Sequence, residues 1–113
     1  MLFPVKLIQC IVRPFKLDEI VDALEKVAPG MTLSDAKGHG HQKGHPLTYR
    51  GHEYQVSLLP KVMIEMVVPD NRVEDVIKVV TDKARTGEIG DGRIFIVPVE
   101  QNYHIRTGFM DLD

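Results

Sequence analysis

The sequence has few of the features on which specialised small proteins rely. It contains one cysteine and no tryptophan. A single cysteine, Cys10, excludes a disulfide framework within the chain and fits a reducing compartment. The apolar setting of Cys10, IQCIV, predicts a buried, inert thiol rather than a nucleophile. The chain also lacks a long apolar run and a secretory signal pattern, so we expect no membrane span and a cytoplasmic location.

The chain has no excess of charge of either sign. Fourteen Lys and Arg stand against sixteen Asp and Glu, a formal net charge of -2. A nucleic-acid binder normally carries a basic face, so the composition predicts no nucleic-acid partner. The length of 113 residues is near the commonest domain size, and 43% hydrophobic residues suffice for one core. We therefore expect a single domain over residues 1–113.

The apolar pattern predicts four strands and two helices in the order β-α-β-β-α-β. Strands are expected over Val5–Val12, Met31–Ala36, Val62–Val68 and Ile94–Val99, and amphipathic helices over 17–27 and 73–84. Two β-α-β halves of this kind form the α+β, ferredoxin-like arrangement, a four-stranded antiparallel sheet with both helices on one face.

The first and last predicted strands are apolar on nearly both faces. The apolar residues are Leu7, Ile11, Ile8 and Val12 in the first strand and Phe95, Val97, Ile94 and Ile96 in the last. Helices cover only one face of such a sheet, and a large exposed apolar face marks an interface. The sequence predicts an obligate homo-oligomer that packs sheet against sheet.

A long loop joins the second and third predicted strands. The stretch from Lys37 to Lys61 holds four glycines, four histidines and two prolines, with little apolar periodicity before Val56. A structureless loop of about twenty residues is uncommon in a compact domain and is usually functional or disordered. We expect a flexible loop over about 37–58, held by a rigid body, that takes different shapes against different partners.

A glycine-rich turn, Thr86 to Gly92, lies between the second helix and the last strand. Main-chain N–H groups in such a turn can converge on an anion. Arg93 follows directly, and Arg106 in the tail offers a second clamp for a phosphate. The alternative is an ordinary glycine-rich connection with solvated arginines.

Polar residues in and beside the long loop suggest further sites. A Gln42 oxygen can ligate Mg2+, and Lys61 can hold a carboxylate or phosphate. On the residues alone, a surface glutamine and a solvated lysine are the better explanation. The histidines that crowd the loop are His39, His41, His45 and His52. Zinc or copper would need three or four such donors, and the alternative is histidine tolerated in a polar loop.

The sequence shows no enzyme constellation. No nucleophile has a base and an orienting group, and no carboxylate pair lies in an apolar setting. Acylphosphatase shares the fold class, but its role needs a glycine-rich anion loop after the first strand, which Arg13-Pro14-Phe15 lacks. We expect a protein that is not an enzyme.

Taken together, these segments resemble the nitrogen regulatory PII signal-transduction proteins over nearly the whole chain. The matching pieces are RPFKLDEIVDAL at 13–24, GMT at 30–32, GHGHQKGH at 38–45, YRGHEY at 49–54, LLPKVMIEMVVPD at 58–70, TGEIGDGRIFI at 86–96 and IRTG at 105–108. The resemblance implies a ferredoxin-like homotrimer in which three clefts between subunits bind ATP or ADP. It also implies that 2-oxoglutarate joins Mg-ATP and that the loop then docks on a target, such as an ammonium transporter or a metabolic enzyme.

The resemblance carries over residue by residue. The implied nucleotide-binding residues are Thr32, Gly40, His41, Gln42, Val67, Gly90, Asp91, Gly92, Arg93, His104 and Arg106. The implied 2-oxoglutarate contacts are Gly40, Gln42, Lys43 and Lys61, with Gln42 also ligating Mg2+. Tyr54 corresponds to the tyrosine that takes a UMP group in some bacterial members.

Two histidines depart from the family pattern, which commonly has arginine at the positions of His41 and His104. Imidazole is mostly neutral near pH 7, whereas guanidinium is always charged. We expect weaker or pH-dependent phosphate binding, or a preference shifted toward ADP or AMP. The rival hypothesis is a divergent PII-like regulator that senses another ligand, or a metal through the loop histidines, with altered nucleotide preference.

Overall fold

Strands dominate the part of the chain that the computed structural model describes, residues 4–28, 30–39, 46–49, 52–55 and 58–108. The strands are β1 (Val5–Val12), β2 (Thr32–Gly38), β3 (Pro46–Tyr49), β4 (His52–Gln55), β5 (Leu59–Pro69) and β6 (Gly92–Val99). The helices are α1 (Leu17–Leu24) and α2 (Val73–Ala84).

Four strands form one antiparallel sheet in the order β2-β5-β1-β6. Both helices pack on one face, so the predicted α+β, ferredoxin-like fold is confirmed. The register places Val12 opposite Val62 and Gly92. We call this the turn end of the sheet. Val5 lies opposite Val99 at the other end, which we call the tail end.

The core lies between the helices and one face of the central strands. Its buried residues include Ile8, Cys10, Ile64, Met66, Ile20, Leu24, Val76 and Val80. Cys10 is fully buried, and burial raises the pKa of its thiol to about 11. The prediction of a buried, inert thiol is confirmed, because reactivity needs the thiolate. No helix among the described residues is long and apolar enough to cross a membrane.

The other face of the sheet, which we call the open face, carries apolar side chains that neither helix covers. Val67 is 45% exposed, Phe95 44% and Val97 38%. One polar pair interrupts this face: the Gln9 Nε2 atom donates to the Glu65 Oε2 atom at 3.1 Å. The predicted apolar face is therefore present, and the homo-oligomer inferred from it stays a prediction.

The long loop contains a short hairpin that the sequence did not predict, and the flexible loop expected over about 37–58 stays a prediction. β3 and β4 pair as an antiparallel hairpin in which Tyr49 lies opposite His52. Thr48, Tyr49 and Tyr54 favour strands, and two intervening residues that include Gly51 are the spacing of a tight hairpin. Apolar periodicity missed the hairpin because a two-stranded ribbon need not bury one face.

Several predicted boundaries also shift. β5 begins at Leu59 and β2 continues to Gly38, because main-chain pairing does not require apolar side chains. The first helix ends at Leu24 rather than 27. There the Val27 N–H donates to the Leu24 carbonyl, a tightened last turn.

Candidate functional site

The glycine turn lies at the turn end of the sheet, between α2 and β6. Gly87, Gly90 and Gly92 have φ angles of 90°, 103° and 116°, which side-chain-bearing residues rarely adopt. Gly92 is also in close contact with β1, since a Cβ atom there would lie 1.7 Å from the Ile11 carbonyl oxygen. The turn therefore depends on glycine both for its path and for its approach to the sheet.

Asp91 closes this turn on itself. Its Oδ2 atom accepts the main-chain N–H groups of Thr86 at 2.8 Å and Gly87 at 2.9 Å. Its Oδ1 atom accepts the Thr86 hydroxyl and the Arg13 Nε atom, the latter at 3.2 Å. The hydrogen bond from the Thr86 hydroxyl is the main cause that holds the pKa of the Asp91 carboxyl well below its usual range. The carboxylate is consequently charged at neutral pH.

Two cations from the sheet also hold the turn. The Arg13 Nη2 atom donates to the Ile89 carbonyl at 2.9 Å, and the Lys61 Nζ atom donates to the Gly90 carbonyl at 2.7 Å. Sequence reasoning missed the role of Arg13. The contact joins residues 76 positions apart, and only the register of β1 against β6 reveals it.

Lys61 is buried against the base of the long loop. Its side chain is 8% exposed, and a Cβ atom at Gly38 would lie 3.1 Å from its Cγ and Cε atoms. Burial lowers the pKa of Lys61, the neighbouring positive charge of Arg13 lowers it further, and Asp91 opposes the shift. Arg13 and Lys61 outnumber the single carboxylate of Asp91, so their setting suits an anionic ligand.

Arg93 is exposed and lies on the open face, opposite Ile11. Together with Arg13, Lys61 and residues 90–92 it forms what we call the turn group. The arrangement fits a polyphosphate, because a fork-shaped guanidinium stands beside a turn of glycine N–H groups.

A second group of predicted residues lies toward the tail end. Thr32 and Val67 line an open pocket of about 510 Å³ together with Leu7, Met31 and Glu65. We call these five residues the base group. Small-molecule sites are of this size, with apolar walls and a few polar groups. The Thr32 hydroxyl and the Glu65 carboxylate can bind the polar edge of a flat ring that packs on Val67 and Leu7.

Leu7 and Glu65 were not predicted from the sequence. Strand register brings them to the pocket, because Leu7 lies opposite Val67 and Thr32 lies opposite Glu65. The strand order and register that set these pairs are not visible in any local pattern.

The tail leaves the sheet after Val99, at the tail end. His104 and Arg106 are exposed, and the Gly108 N–H donates to the His104 carbonyl at 2.8 Å to form a turn. The two predicted phosphate contacts of the tail therefore start from the end of the sheet opposite the glycine turn.

One copy of the chain does not bring the turn group and the base group together. Arg93 lies opposite Ile11 on β6, while Val67 lies opposite Leu7 on β5. Four residues along β1 and two strand spacings across the sheet separate these two positions by about 17 Å. The predicted nucleotide-binding residues thus form two half-sites in the single chain.

Comparison with known proteins identifies the family of the chain. The family model described as Nitrogen regulatory protein P-II matches residues 5–109. The chain belongs to this family. A nitrogen regulatory protein P-II of Azospirillum brasilense is 53% identical over 104 residues, 91% of this chain and 93% of the relative. That of Rhizobium meliloti (strain 1021) is 50% identical over 109 residues, 96% and 97% of the two chains. That of Nostoc punctiforme is 53% identical over 104 residues, 91% and 93%.

The resemblance stated from the sequence is confirmed by these P-II relatives, each of which is named as a regulatory protein. Some residues implied by the P-II resemblance lie outside the described residues: Gly40, His41, Gln42, Lys43 and the side chain of Tyr54. Their predicted roles in binding nucleotide, Mg2+, 2-oxoglutarate and UMP stay predictions.

The metal hypothesis for the loop histidines also stays a prediction. His39 is exposed at the start of the loop. Within the described ranges, no three His, Cys, Asp or Glu side chains lie close enough to hold a metal ion. His41, His45 and the side chain of His52 fall outside those ranges.

Proposed function

We propose that this P-II family protein is a signal-transduction regulator that binds ATP or ADP, together with 2-oxoglutarate, between copies of the chain in a homotrimer. The observation that carries the proposal is the division of the predicted nucleotide site into two half-sites. A complete site requires the turn group of one copy to meet the base group of another.

The sheet geometry supports a closed ring. The turn group extends to the β6 edge, and the base group lies on the β2 side of the sheet. A head-to-tail contact between different edges forms a cyclic oligomer when the rotation between successive copies closes the ring. The open face, with Val67, Phe95 and Val97, supplies the apolar surface that such packing would bury.

Each group has a chemical role in this arrangement. The base group binds the adenine ring and ribose, while the glycine turn and Arg93 bind phosphates, joined by His104 and Arg106 of the tail. Lys61, with Arg13 beside it, pairs with the distal carboxylate of 2-oxoglutarate. Gln42 ligates the Mg2+ ion that nucleotide and 2-oxoglutarate share.

The output of the proposed sensor is the long loop, residues 37–58, which contains the β3–β4 hairpin. Its base, Gly38, packs against Lys61, so a ligand that moves Lys61 also changes the contact at the loop's root. The loop docks on a target such as an ammonium transporter or a metabolic enzyme. The protein acts in the cytoplasm as a regulator rather than as an enzyme.

Isothermal titration calorimetry tests this function with ATP, ADP and AMP, each with Mg2+ and with or without 2-oxoglutarate. We expect 2-oxoglutarate to bind only when Mg-ATP is present. Lys61→Met should abolish 2-oxoglutarate binding even at saturating Mg-ATP, while Lys78→Met, at an exposed position on α2, should change neither 2-oxoglutarate binding nor ATP binding. A wild-type protein that binds no adenine nucleotide would contradict the proposal.

The rival hypothesis makes a different prediction in the same titrations. If nucleotide binds and 2-oxoglutarate never does, the chain is a repurposed sensor. The next experiment would measure equilibrium binding of zinc, copper and nickel. Stoichiometric metal binding that is lost in the double variant His39→Ala/His41→Ala would favour a metal signal.

A further inference from the structure

The Asp91 side chain has its hydrogen-bonding capacity committed within its own turn. An ionised carboxylate offers about four acceptor positions. Four donors occupy them: the N–H groups of Thr86 and Gly87, the Thr86 hydroxyl and the Arg13 guanidinium. The carboxylate therefore acts on the turn rather than on a ligand.

Arg13 and Lys61 determine which way the peptide groups of the turn face. The carbonyls of Ile89 and Gly90 point toward the body, because they accept hydrogen bonds from Arg13 and Lys61. No described peptide bond is cis. In a planar trans peptide the C=O and the following N–H point in opposite directions. The N–H groups of Gly90 and Asp91 therefore point away from the body, where an anion can accept a hydrogen bond from each of them.

We propose that Arg13 and Asp91 are positioning residues of the phosphate subsite, which orient the outward N–H groups of the turn without touching the nucleotide. This inference rests on the proposed function, since it assigns the device that prepares the site for phosphate. Thr86 belongs to the same device, because its hydroxyl holds the Asp91 carboxylate in place.

The direction in which Asp91→Asn changes ATP affinity distinguishes a positioning role of Asp91 from a purely electrostatic one. A carboxylate close to a polyphosphate repels it, so removal of the Asp91 charge alone would tighten ATP binding. Positioning requires the opposite. In Asp91→Asn an amide NH2 group would face either the N–H groups of Thr86 and Gly87 or the Arg13 guanidinium, so donors would oppose donors and the turn would lose its orientation. We expect Mg-ATP affinity to fall about tenfold or more, as for the loss of charge-assisted hydrogen bonds.

Arg13 offers a second test of the same kind. If Arg13 only attracts phosphate by its charge, Arg13→Lys should bind ATP as the wild type does. A lysine has one ammonium and lacks the fork that reaches both Asp91 and the Ile89 carbonyl. Positioning therefore predicts that Arg13→Lys loses most of the affinity lost by Arg13→Gln.

The experiment is calorimetric titration of Mg-ATP into the wild type and a set of variants. Thr86→Val removes the hydroxyl at constant charge and shape and should weaken ATP binding, while Thr86→Ser keeps the hydroxyl and should bind nearly as the wild type does. Asp75→Asn removes the same charge from an exposed position on α2 and should change nothing. Size-exclusion chromatography and circular dichroism of each variant separate loss of binding from loss of folding.

Amide NMR spectra distinguish a local change in the turn from a general loss of stability, because each N–H group gives its own signal. In the wild type, Mg-ATP should shift the Gly90 and Asp91 N–H signals, and in folded Thr86→Val these shifts should shrink while base-group signals still respond. The inference is overturned if Asp91→Asn and Thr86→Val bind ATP as well as or better than the wild type. A wild type that binds no nucleotide would overturn the proposed function as well.

Discussion

At the scale of single residues, His104 in the tail is a departure from the family pattern at a predicted phosphate contact. His104 and Arg106 are both exposed and two residues apart in a turn. A guanidinium presents five N–H donors and is always charged, whereas an imidazole presents at most two donors. The two predicted phosphate contacts of the tail therefore differ in strength.

We predict that His104→Arg binds Mg-ATP several-fold more tightly than the wild type, since a guanidinium can bind phosphate through two parallel N–H groups. Gln101→Arg adds a positive charge at another exposed tail position and should leave the affinity close to that of the wild type. Calorimetry makes the measurement, and equal affinities of His104→Arg and the wild type would contradict the prediction.

Residues of the candidate site differ in how far the sequence revealed them. The glycines of the turn and Arg93 stand together in the chain, so local spacing indicated an anion site. Arg13 and Glu65 were missed because they act through partners distant in sequence, 78 positions away for Arg13–Asp91 and 56 for Gln9–Glu65. Such pairs depend on strand register, which no local pattern determines.

At the scale of elements, the glycine turn is the connection whose backbone is most constrained. Gly87 and Gly92 both have positive φ, but their surroundings differ. A Cβ atom at Gly87 would meet nothing within 4 Å, whereas one at Gly92 would overlap the Ile11 carbonyl oxygen. Substitution of Gly87 therefore measures the strain of a positive φ alone, whereas substitution of Gly92 adds the steric overlap with β1.

We predict that Gly92→Ala lowers the free energy of unfolding by about 3 kcal/mol or more, because β6 must move away from β1 to admit the methyl group. Gly87→Ala should cost only about 1–2 kcal/mol, the strain of a positive φ. Urea unfolding at one fixed protein concentration gives both values, since the stability of an oligomer depends on concentration. Equal losses in the two variants would show that contact with β1 does not matter.

The elements that bury a face were predictable, and the hairpin was not. β1 and both helices have clear apolar periods because each packs against the core. β3 and β4 pair only with each other in the described structure, so their residues carry no such period. Strand-favouring residues around Gly51 were the available signal.

At the scale of the whole molecule, two facts point to assembly. The open face leaves Val67, Phe95 and Val97 more than a third exposed, and about 17 Å along that face separates Arg93 of the turn group from Val67 of the base group. The sequence predicted the first from strands apolar on both faces. It did not predict the second, because the distance between half-sites follows from strand order. A nucleotide that bridges two copies would tie ligand binding to assembly.

Complementation between two defective copies tests this account most directly. Gly30 lines the base pocket, and a Cβ atom there would meet no atom within 4 Å, so we expect Gly30→Phe to block the pocket. Arg93→Gln removes the phosphate clamp from the other half-site. Each variant alone should assemble, as size-exclusion chromatography would report, and bind little Mg-ATP.

The deciding measurement is the number of Mg-ATP sites after the two variants are unfolded together in equal amounts and refolded. Sites built from two copies predict recovery of about one site in four, because random assortment sometimes places the intact half of each variant in the same cleft. A site contained in one chain predicts no recovery, since every chain carries a defect. Absence of recovery in correctly assembled mixtures would contradict the central claim.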